Sequence, residues 1–374
     1  MTTRVLVTGG AGFIGCHVVK MLLQRGYEVR VLDSLIEQVH RGANRNPVLG
    51  DVELIRADVR DLDRVAGALE GVDSVIHLAA EVGVGQSMYA IDRYVSVNDG
   101  GTAVLFQALI DRPVSRIVAA SSMSIYGEGL YRSASGERMD DVTRPVERGP
   151  ACASDGGWDP TGPDGLKLMP MATPEWKRPN LASVYALTKY VQERLTLTVA
   201  PAYGMQGVAL RLFNVYGPGQ ALSNPYTGVL AIFASRLHNR QRPMVFEDGE
   251  QRRDFVHVED VARAFLLALE HPCAPGQVFN VGSGRDVSIL QVAEALAGAM
   301  GVPHLTPEVM GKARTGDIRH CFADITLARD VLGFQPRRGF DDSLGELAEW
   351  VQEQQAEDRV HDARRELEQR GLVA

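Results

Sequence analysis

The stretch Thr8-Gly9-Gly10-Ala11-Gly12-Phe13-Ile14-Gly15 follows the apolar run Val5–Val7 and opens a helical pattern that stops at Gly26. Glycine at these spacings lets the backbone turn sharply, approach a pyrophosphate closely and aim helix N-terminal N–H groups at it. Such a string alone is a weak signal, but its place between a strand and a helix indicates a dinucleotide-binding loop. The predicted cofactor contacts in this loop are Gly9, Gly12, Phe13, Ile14 and Gly15.

Asp33 stands at the end of the second predicted strand, Val29–Leu32. A carboxylate at this place accepts hydrogen bonds from the adenosine ribose and repels a 2′-phosphate. The sequence therefore predicts NAD as the cofactor, in preference to NADP.

Outward from this loop, short β-branched runs alternate with helical patterns. The predicted strands lie at Glu53–Arg56, Ser74–Leu78, Arg116–Ala120 and Val208–Phe213. Strands that alternate with helices indicate βαβ units and a parallel sheet covered on both faces. The predicted fold class is α/β, a Rossmann-type doubly wound parallel sheet with a smaller, partly interleaved C-terminal lobe.

The chain divides into three predicted parts. Residues 1–214 form the NAD-binding domain, with an insert at 128–182 that is rich in Gly, Pro, Asp and Arg and lacks periodicity. A structureless loop of that length tends to be functional or flexible. Residues 215–345 form mainly a substrate-binding lobe, from which 253–283 returns to the first domain. Residues 346–374 are a C-terminal helix that is highly charged after Glu353, which usually means a solvated face, although a partner contact stays open.

Composition excludes several classes of protein. With 45% hydrophobic and 23% charged residues, the chain is typical of a globular protein. Its net charge of −8 argues against a general nucleic-acid or anionic-membrane binder, which needs a basic face. No apolar run reaches the roughly 20 residues that span a bilayer, and the start MTTRVLVTGG lacks a signal-peptide pattern. We therefore expect a cytoplasmic protein without a membrane partner.

The four cysteines are widely separated and form no CxxC pair; they are Cys16, Cys152, Cys273 and Cys321. This spacing favours neither a disulfide framework nor a zinc site. We expect reduced cysteines and no metal.

Two further segments fall at strand ends. Asp58 and Val59 follow the third predicted strand, and His77-Leu78-Ala79-Ala80 ends the fourth. The carboxyl ends of parallel strands line the cofactor crevice in this fold class. The predicted contacts here are Asp58, Val59, Leu78, Ala79 and Ala80. The alternatives are a helix cap at Asp58 and simple packing at the alanines.

Tyr185 and Lys189 form a Tyr-x-x-x-Lys pattern within the predicted helix Ser183–Val199. The i, i+4 spacing places both side chains on one helix face. A neighbouring ammonium favours the phenolate, so we expect the pKa of Tyr185 to fall from about 10. A tyrosinate is then a competent general base for alcohol oxidation. The alternative is a surface Tyr–Lys pair, because this pattern often arises by chance.

A run of serines ends the strand Ile117–Ser121 and includes Ser122 and Ser124. A hydroxyl here can donate to a reacting oxygen and share its proton with Tyr185. The alternative is a run of serines without function.

Taken in order, these motifs resemble the extended short-chain dehydrogenase/reductases, in their nucleotide-sugar epimerase/dehydratase branch. The matching elements are TGGAGFIG, Asp33, HLAA, SSMSIYG, YALTK, RLFNVYGPGQ, RRDFVHVEDVA, VFNVGSG and ARTGDIRHCFAD. They cover most of the chain except the insert and the tail. The segments EVGVGQSMY and ALSNPYTGVLAIFASRL resemble those of dTDP-L-rhamnose 4-epimerases, which implies a dTDP-6-deoxyhexose as substrate.

The resemblance implies roles for individual residues. Ser122, Tyr185 and Lys189 would be catalytic, the last two also contacting NAD. Asn98 would support the active-site helix beside the cofactor. A nucleotide sugar would contact Gln86, Ser87, Ser122, Ser124, Asn214, Arg253 and Arg314. The two arginines would grip its pyrophosphate, for which a permanently charged, bidentate group is suited; a salt bridge within RRDF is the alternative for the first.

Ser124 favours one reaction of the family. In its dehydratases and decarboxylases the residue two after the catalytic serine or threonine is typically a glutamate, and in GDP-mannose 3,5-epimerases it is a cysteine. Because a serine cannot readily abstract a carbon-bound proton, the resemblance implies C4 epimerisation by transient oxidation and re-reduction. The alternatives are a 4-ketoreductase, dehydrogenase or dehydratase of the same family, and a non-catalytic NAD-binding regulator.

The apolar stripes on YALTK and on Gly101–Ile110 imply a homodimer by analogy with relatives. Core packing would explain the same stripes.

Overall fold

Strands are spread along the whole chain. The computed structural model describes residues 3–40, 46–142, 157–226, 228–314, 316–354, 358 and 360–373. Its strands are β1 (Arg4–Thr8), β2 (Glu28–Asp33), β3 (Glu53–Arg56), β4 (Ser74–His77), β5 (Arg116–Ser122), β6 (Leu130–Arg132), β7 (Arg138–Met139), β8 (Met169–Met171), β9 (Gln206–Leu212), β10 (Asn214–Tyr216), β11 (Met244–Val245), β12 (Arg252–Arg253), β13 (Phe255–His257), β14 (Val278–Val281), β15 (Val287–Ser288), β16 (Glu308–Val309) and β17 (His320–Cys321).

Helices separate most of these strands. They are α1 (Phe13–Gln24), α2 (Glu37–His40), α3 (Leu62–Ala68), α4 (Val84–Ser87), α5 (Ile91–Tyr94), α6 (Gly101–Asp111), α7 (Val184–Ala202), α8 (Val229–His238), α9 (Val258–Glu270), α10 (Ile289–Ala299), α11 (Thr326–Leu332), α12 (Phe340–Gln352) and α13 (Val360–Gln369). A π-helical segment, Val95–Gly100, joins α5 to α6, and 3₁₀ turns lie at Pro47–Asp51 and Met123–Tyr126. Within the described ranges, every helix is too short or too polar to cross a bilayer.

The central sheet has seven strands in the order β14-β9-β5-β4-β1-β2-β3, and all neighbours are parallel. Val5 and Val7 point into the core under α1 and α9, whereas Leu6 points into the core under α3, α6 and α7. Strands covered on both faces must be apolar on both, and all seven residues of β5 are buried. The predicted α/β Rossmann-type sheet is confirmed.

A second apolar cluster lies among α8, α10 and α12, with Phe233, Leu296 and Leu347 at its centre. The chain enters this lobe after β10 and later returns to the main sheet, since β14 pairs with β9. The exact division into domains stays a prediction.

The insert at 128–182 contains regular structure. β6 pairs antiparallel with both β7 and β8, so the expectation of a structureless segment is wrong for the described part; residues 143–156 lie outside it. Strands of two or three residues carry too little periodicity to be detected in a sequence.

Arg319 joins this insert to the C-terminal lobe. The side chain is fully buried and donates to Asp159 of the insert at 2.6 Å. On the lobe it donates to Glu247 at 3.0 Å and to Asp248 at 2.5 Å. Glu128, at the start of the insert, accepts the Arg319 backbone N–H at 2.7 Å.

The tail does not form the single helix predicted for 346–374. α12 ends at Gln352, and α13 is a separate helix. Its predicted solvated face is also incorrect in part, because Leu367 is buried and lies against Gly85 of α4. Tyr89 and Tyr226 each donate a hydrogen bond of 3.0 Å to Glu366, which holds the charged helix on the body of the protein.

Candidate functional site

The glycine loop lies directly against the end of β4. Gly9 has φ +70°, and a Cβ there would come within 2.7 Å of the Ala79 backbone nitrogen. A Cβ on Gly15 would overlap the carbonyl oxygen of Gly9. α1 begins after Gly12, which has no side chain to cover the first free amides. The loop thus offers a close backbone approach and open N–H groups, which fit a dinucleotide pyrophosphate.

The other predicted cofactor residues of the first strands surround this loop. Leu78, Ala79 and Ala80 follow β4 and are partly exposed, next to Gly9. The Asp33 carboxylate is buried at the end of β2 and accepts the N–H groups of Ala11 and Leu35 at 3.0 and 2.9 Å. An acidic group is therefore fixed beside the loop, as ribose recognition requires.

Asp58 binds its neighbour Arg60 through both carboxylate oxygens, at 2.9 and 2.7 Å. Hydrogen bonds from that guanidinium hold the pKa of Asp58 below its usual value. The cap before Leu62 is Asp61, which accepts the N–H of Arg64 at 3.1 Å. The cap alternative for Asp58 is therefore wrong. Val59 is buried against α6, and contacts of both residues with NAD stay predictions.

The predicted catalytic side chains meet where β5 ends and α7 begins. Ser183 caps α7 by accepting the N–H of Ala186 at 3.1 Å, which places Tyr185 in the first turn. Ser87 accepts the Tyr185 backbone N–H at 3.0 Å. Ser122 is hydrogen-bonded to the Tyr185 phenol, and the Ser124 hydroxyl donates to Ser122 at 2.9 Å.

The expected fall in the pKa of Tyr185 does not occur in the protein alone. Burial raises it, and the hydrogen bond from Ser122 opposes the rise. Lys189 donates to Gln192 Oε1 at 2.6 Å, and burial lowers the pKa of this lysine to about 7. Spacing alone could not reveal this, because desolvation depends on the whole fold.

Asn98 lies in the π-helical segment and is fully buried. Its amide accepts the backbone N–H of Glu81 at 2.7 Å and donates to Thr188 Oγ1 on α7 at 2.9 Å. Such π-bulges are frequent at functional sites. The amide thereby ties the π-segment to the helix that carries Tyr185; its direct contact with NAD stays a prediction.

The predicted sugar contacts come from several separate elements. Gln86 and Ser87 lie on α4, and Gln86 Oε1 accepts from Gln38 at 3.1 Å. Asn214 begins β10, and its buried Oδ1 has no hydrogen-bond partner among the described residues. A buried acceptor without a partner is costly, so this oxygen suits a ligand donor.

The two predicted pyrophosphate residues differ in how they are held. The Arg253 guanidinium donates to the carbonyls of Arg252 and Arg319 at 2.9 Å each, and to that of Ile318. No carboxylate pairs with it in the described chain, so the salt-bridge alternative is wrong there. Arg314 pairs with Asp317 at 2.8 Å and lies over the Phe246 ring.

Sequence reasoning missed Gln192, which contacts Lys189 directly, and gave His77 no role of its own. The spacing from Lys189 to Gln192 is i, i+3, which places both on one helix face. That spacing was the available signal.

Known proteins resemble this chain along most of its length. The profile of the NAD dependent epimerase/dehydratase family matches residues 5–148 and 169–282. The chain is 37% identical over 357 residues to a dTDP-L-rhamnose 4-epimerase of Burkholderia thailandensis, covering 93% of this chain and 94% of that one. A dTDP-glucose 4,6-dehydratase of Streptomyces niveus is 30% identical, covering 94% of each chain.

A solved structure of UDP-glucose 4-epimerase from Thermus thermophilus in complex with NAD superimposes with a TM-score of 0.73. It is 31% identical and covers 94% of this chain and 99% of that one. The residues matched by the family profile include the glycine loop and α7. The chain is therefore an enzyme of the NAD dependent epimerase/dehydratase family, with NAD as its cofactor.

Proposed function

We propose that the enzyme is a nucleotide-sugar 4-epimerase that oxidises and re-reduces C4, and that its substrate is a dTDP-6-deoxyhexose. The observation that carries this proposal is the hydroxyl pair Ser122–Ser124, at 2.9 Å, beside Tyr185. A hydroxyl at position 124 offers no carboxylate for removing a carbon-bound proton, which dehydration needs. The named function of the Burkholderia relative favours the same reaction and substrate.

The hydrogen bonds of Ser122 and Ser124 fix the direction in which each hydroxyl donates. Ser122 Oγ accepts from both the N–H and the O–H of Ser124, so its own proton is left to donate toward Tyr185 and the sugar oxygen. In its phenolate form, Tyr185 accepts the C4 hydroxyl proton and later returns it. When bound, NAD supplies the reversible hydride acceptor that oxidation at C4 requires.

At the other end of the cleft, Arg253 offers a charge that is satisfied only by carbonyls. A diphosphate would provide the anionic partner it lacks. The free Asn214 Oδ1 would accept a sugar hydroxyl. These contacts would hold the nucleotide while C4 is oxidised and re-reduced.

Mass spectrometry and NMR of the protein incubated with a panel of dTDP-, UDP- and GDP-hexoses test the proposal. The expected result is interconversion of two C4 epimers without mass change, fastest with a dTDP-6-deoxyhexose, and retention of a C4 deuterium label. A product lighter by one water would favour the dehydratase alternative. Stoichiometric accumulation of NADH would favour the dehydrogenase.

We also propose a homodimer. Ile91, Val95 and Leu187 are apolar and 51%, 40% and 44% exposed, on the helical segments flanking the site. The stripe on α6 is instead core, since Leu105 and Leu109 are buried. Light scattering should therefore show a dimer that Leu187→Glu dissociates.

Leu62→Glu is the matched control for this substitution, because Leu62 is equally exposed, at 45%, on α3. A wild-type monomer, or equal dissociation by both substitutions, would contradict the proposed face.

A further inference from the structure

A chain of buried polar side chains runs from the catalytic lysine to the glycine loop. Gln192 is 1% exposed and accepts from Lys189 Nζ at 2.6 Å. Its amide nitrogen lies 2.9 Å from Thr102 Oγ1 and 3.3 Å from the carbonyl oxygen of Ala79. The same nitrogen lies 3.2 Å from His77 Nε2.

These neighbours determine which way the Gln192 amide points. The Thr102 hydroxyl donates its hydrogen bond to the carbonyl oxygen of Asn98, at 2.5 Å. Thr102 can therefore only accept a hydrogen bond from Gln192. The Ala79 carbonyl can only accept as well. A flipped amide would place its oxygen against both acceptors, so the observed orientation, with the oxygen toward Lys189, is fixed by the network.

His77 extends the network to the cofactor loop. Its Nδ1 lies 2.7 Å from the hydroxyl of Thr8, the residue before Gly9, and its Nε2 lies 2.9 Å from Thr102 Oγ1. Complete burial keeps this ring neutral, with a pKa lowered to about 3. The ring can thus donate at one nitrogen and accept at the other.

We propose that Gln192 is a positioning residue: its fixed carbonyl oxygen holds Lys189 in the direction and in the charged form that a Tyr185 base requires. The inference rests on the proposed function, since it assumes that Tyr185 accepts a proton from the sugar. Gln192 itself touches neither the sugar nor Tyr185 in this arrangement, and it acts through the lysine.

The charged groups near Lys189 do not themselves hold its ammonium in place. Burial disfavours its ammonium. Glu193 on the same helix favours it, but that carboxylate already pairs with Arg211 at 2.7 Å and accepts from Ser121 at 2.7 Å. His77, facing from β4, is neutral, and Tyr185 lies one turn earlier on α7. A direct, correctly oriented acceptor therefore matters.

The test is Gln192→Met, which keeps the side-chain length and removes the acceptor. The alkaline limb of the kcat–pH profile, which reports loss of the Lys189 proton, should move down by about one to two pH units, and kcat should fall about tenfold or more. KM for the nucleotide sugar should change little. Ultraviolet difference titration of tyrosinate, with Tyr185→Phe as the blank, should show the Tyr185 phenolate forming at higher pH.

Thr102→Val provides a second variant if Gln192→Met folds poorly. It removes one constraint on the amide and should shift both curves in the same direction by less. Gln291→Met, which alters a remote capping box on α10, is the matched control and should leave both curves unchanged.

Unshifted curves in folded Gln192→Met would overturn the inference, because a merely structural role would lower stability without moving either one. That outcome is distinct from failure of the proposed function. Full activity of Tyr185→Phe, or a product other than a C4 epimer, would show that failure in the wild-type background.

Discussion

The cofactor side and the predicted sugar side of the site are built in different ways. The cofactor side comes from one continuous β1–α1–β2 unit, in which Gly9 and Asp33 lie close in sequence and in space. The predicted sugar contacts Asn214, Arg253 and Arg314 come from separate parts of the chain. Local motifs therefore reveal the first side, whereas long-range contacts determine the second.

The two sides are also held by different forces. Around the glycine loop, the fit depends on backbone shape and on missing Cβ atoms. The insert is instead joined to the C-terminal lobe by charge, with the buried Arg319 bound to three carboxylates. Backbone shape tolerates changes of pH and salt, whereas a buried ionic cluster fails when one member is removed.

Tyr185→Phe should give the largest effect, because this residue lies where the two sides meet. Loss of the phenolic oxygen should lower kcat by about 10²–10⁴-fold, while folding and NAD binding persist because the ring is kept. Steady-state kinetics and a thermal melt with NAD measure this. Turnover close to that of the wild type would remove Tyr185 from the mechanism.

Arg319→Met should destabilise the protein by about 3–5 kcal/mol, since it leaves the buried Glu247 and the partly exposed Asp159 and Asp248 without their partner. Urea denaturation measures the loss. Arg329→Met is the control, because its ion pair with Asp330 is exposed, at 2.8 Å, and such pairs contribute about 0–1 kcal/mol. Equal costs for the two variants would show that buried charge does not hold the insert.

Arg253→Ala should weaken binding of a free nucleoside diphosphate by about 1.5–3 kcal/mol, the range for hydrogen bonds to charged groups. NAD affinity should not change, which separates the two sides of the cleft. Arg314→Ala should weaken this binding less, because Asp317 already accepts a hydrogen bond from the Arg314 Nε–H. Calorimetric titration with dTDP and UDP decides, and unchanged affinity in both variants would contradict the assignment.

Near neutral pH His77→Asn should give the smallest effect, because its effect is on the pH dependence of stability. The folded protein lowers the pKa of His77 to about 3, whereas an unfolded histidine titrates near 6.5. Stability from this group is complete above about pH 6.5 and is lost as pH falls, by up to about 1.4 kcal/mol per pH unit. The variant should lose stability less steeply on acidification in urea melts; parallel curves would count against a neutral buried His77.

Sequence reasoning succeeded where a pattern is local. The predicted strand Glu53–Arg56 has the bounds of β3, and Ser122 lies beside Tyr185 as their motifs implied. It failed where burial or distant pairing decides. The raised pKa of Tyr185 follows from desolvation, and the insert is ordered by partners such as Arg319, which lies 160 residues beyond Asp159.

The order of strands in the central sheet has a consequence for synthesis. β9 is complete at Leu212, but its outer partner β14 begins only at Val278. At a synthesis rate of about 5–20 residues per second, the outer edge of β9 stays unpaired for roughly 3–13 s during translation. An unpaired strand edge is a template for pairing with another chain. A nascent chain is therefore open to aggregation after β9 has emerged and before β14 is made.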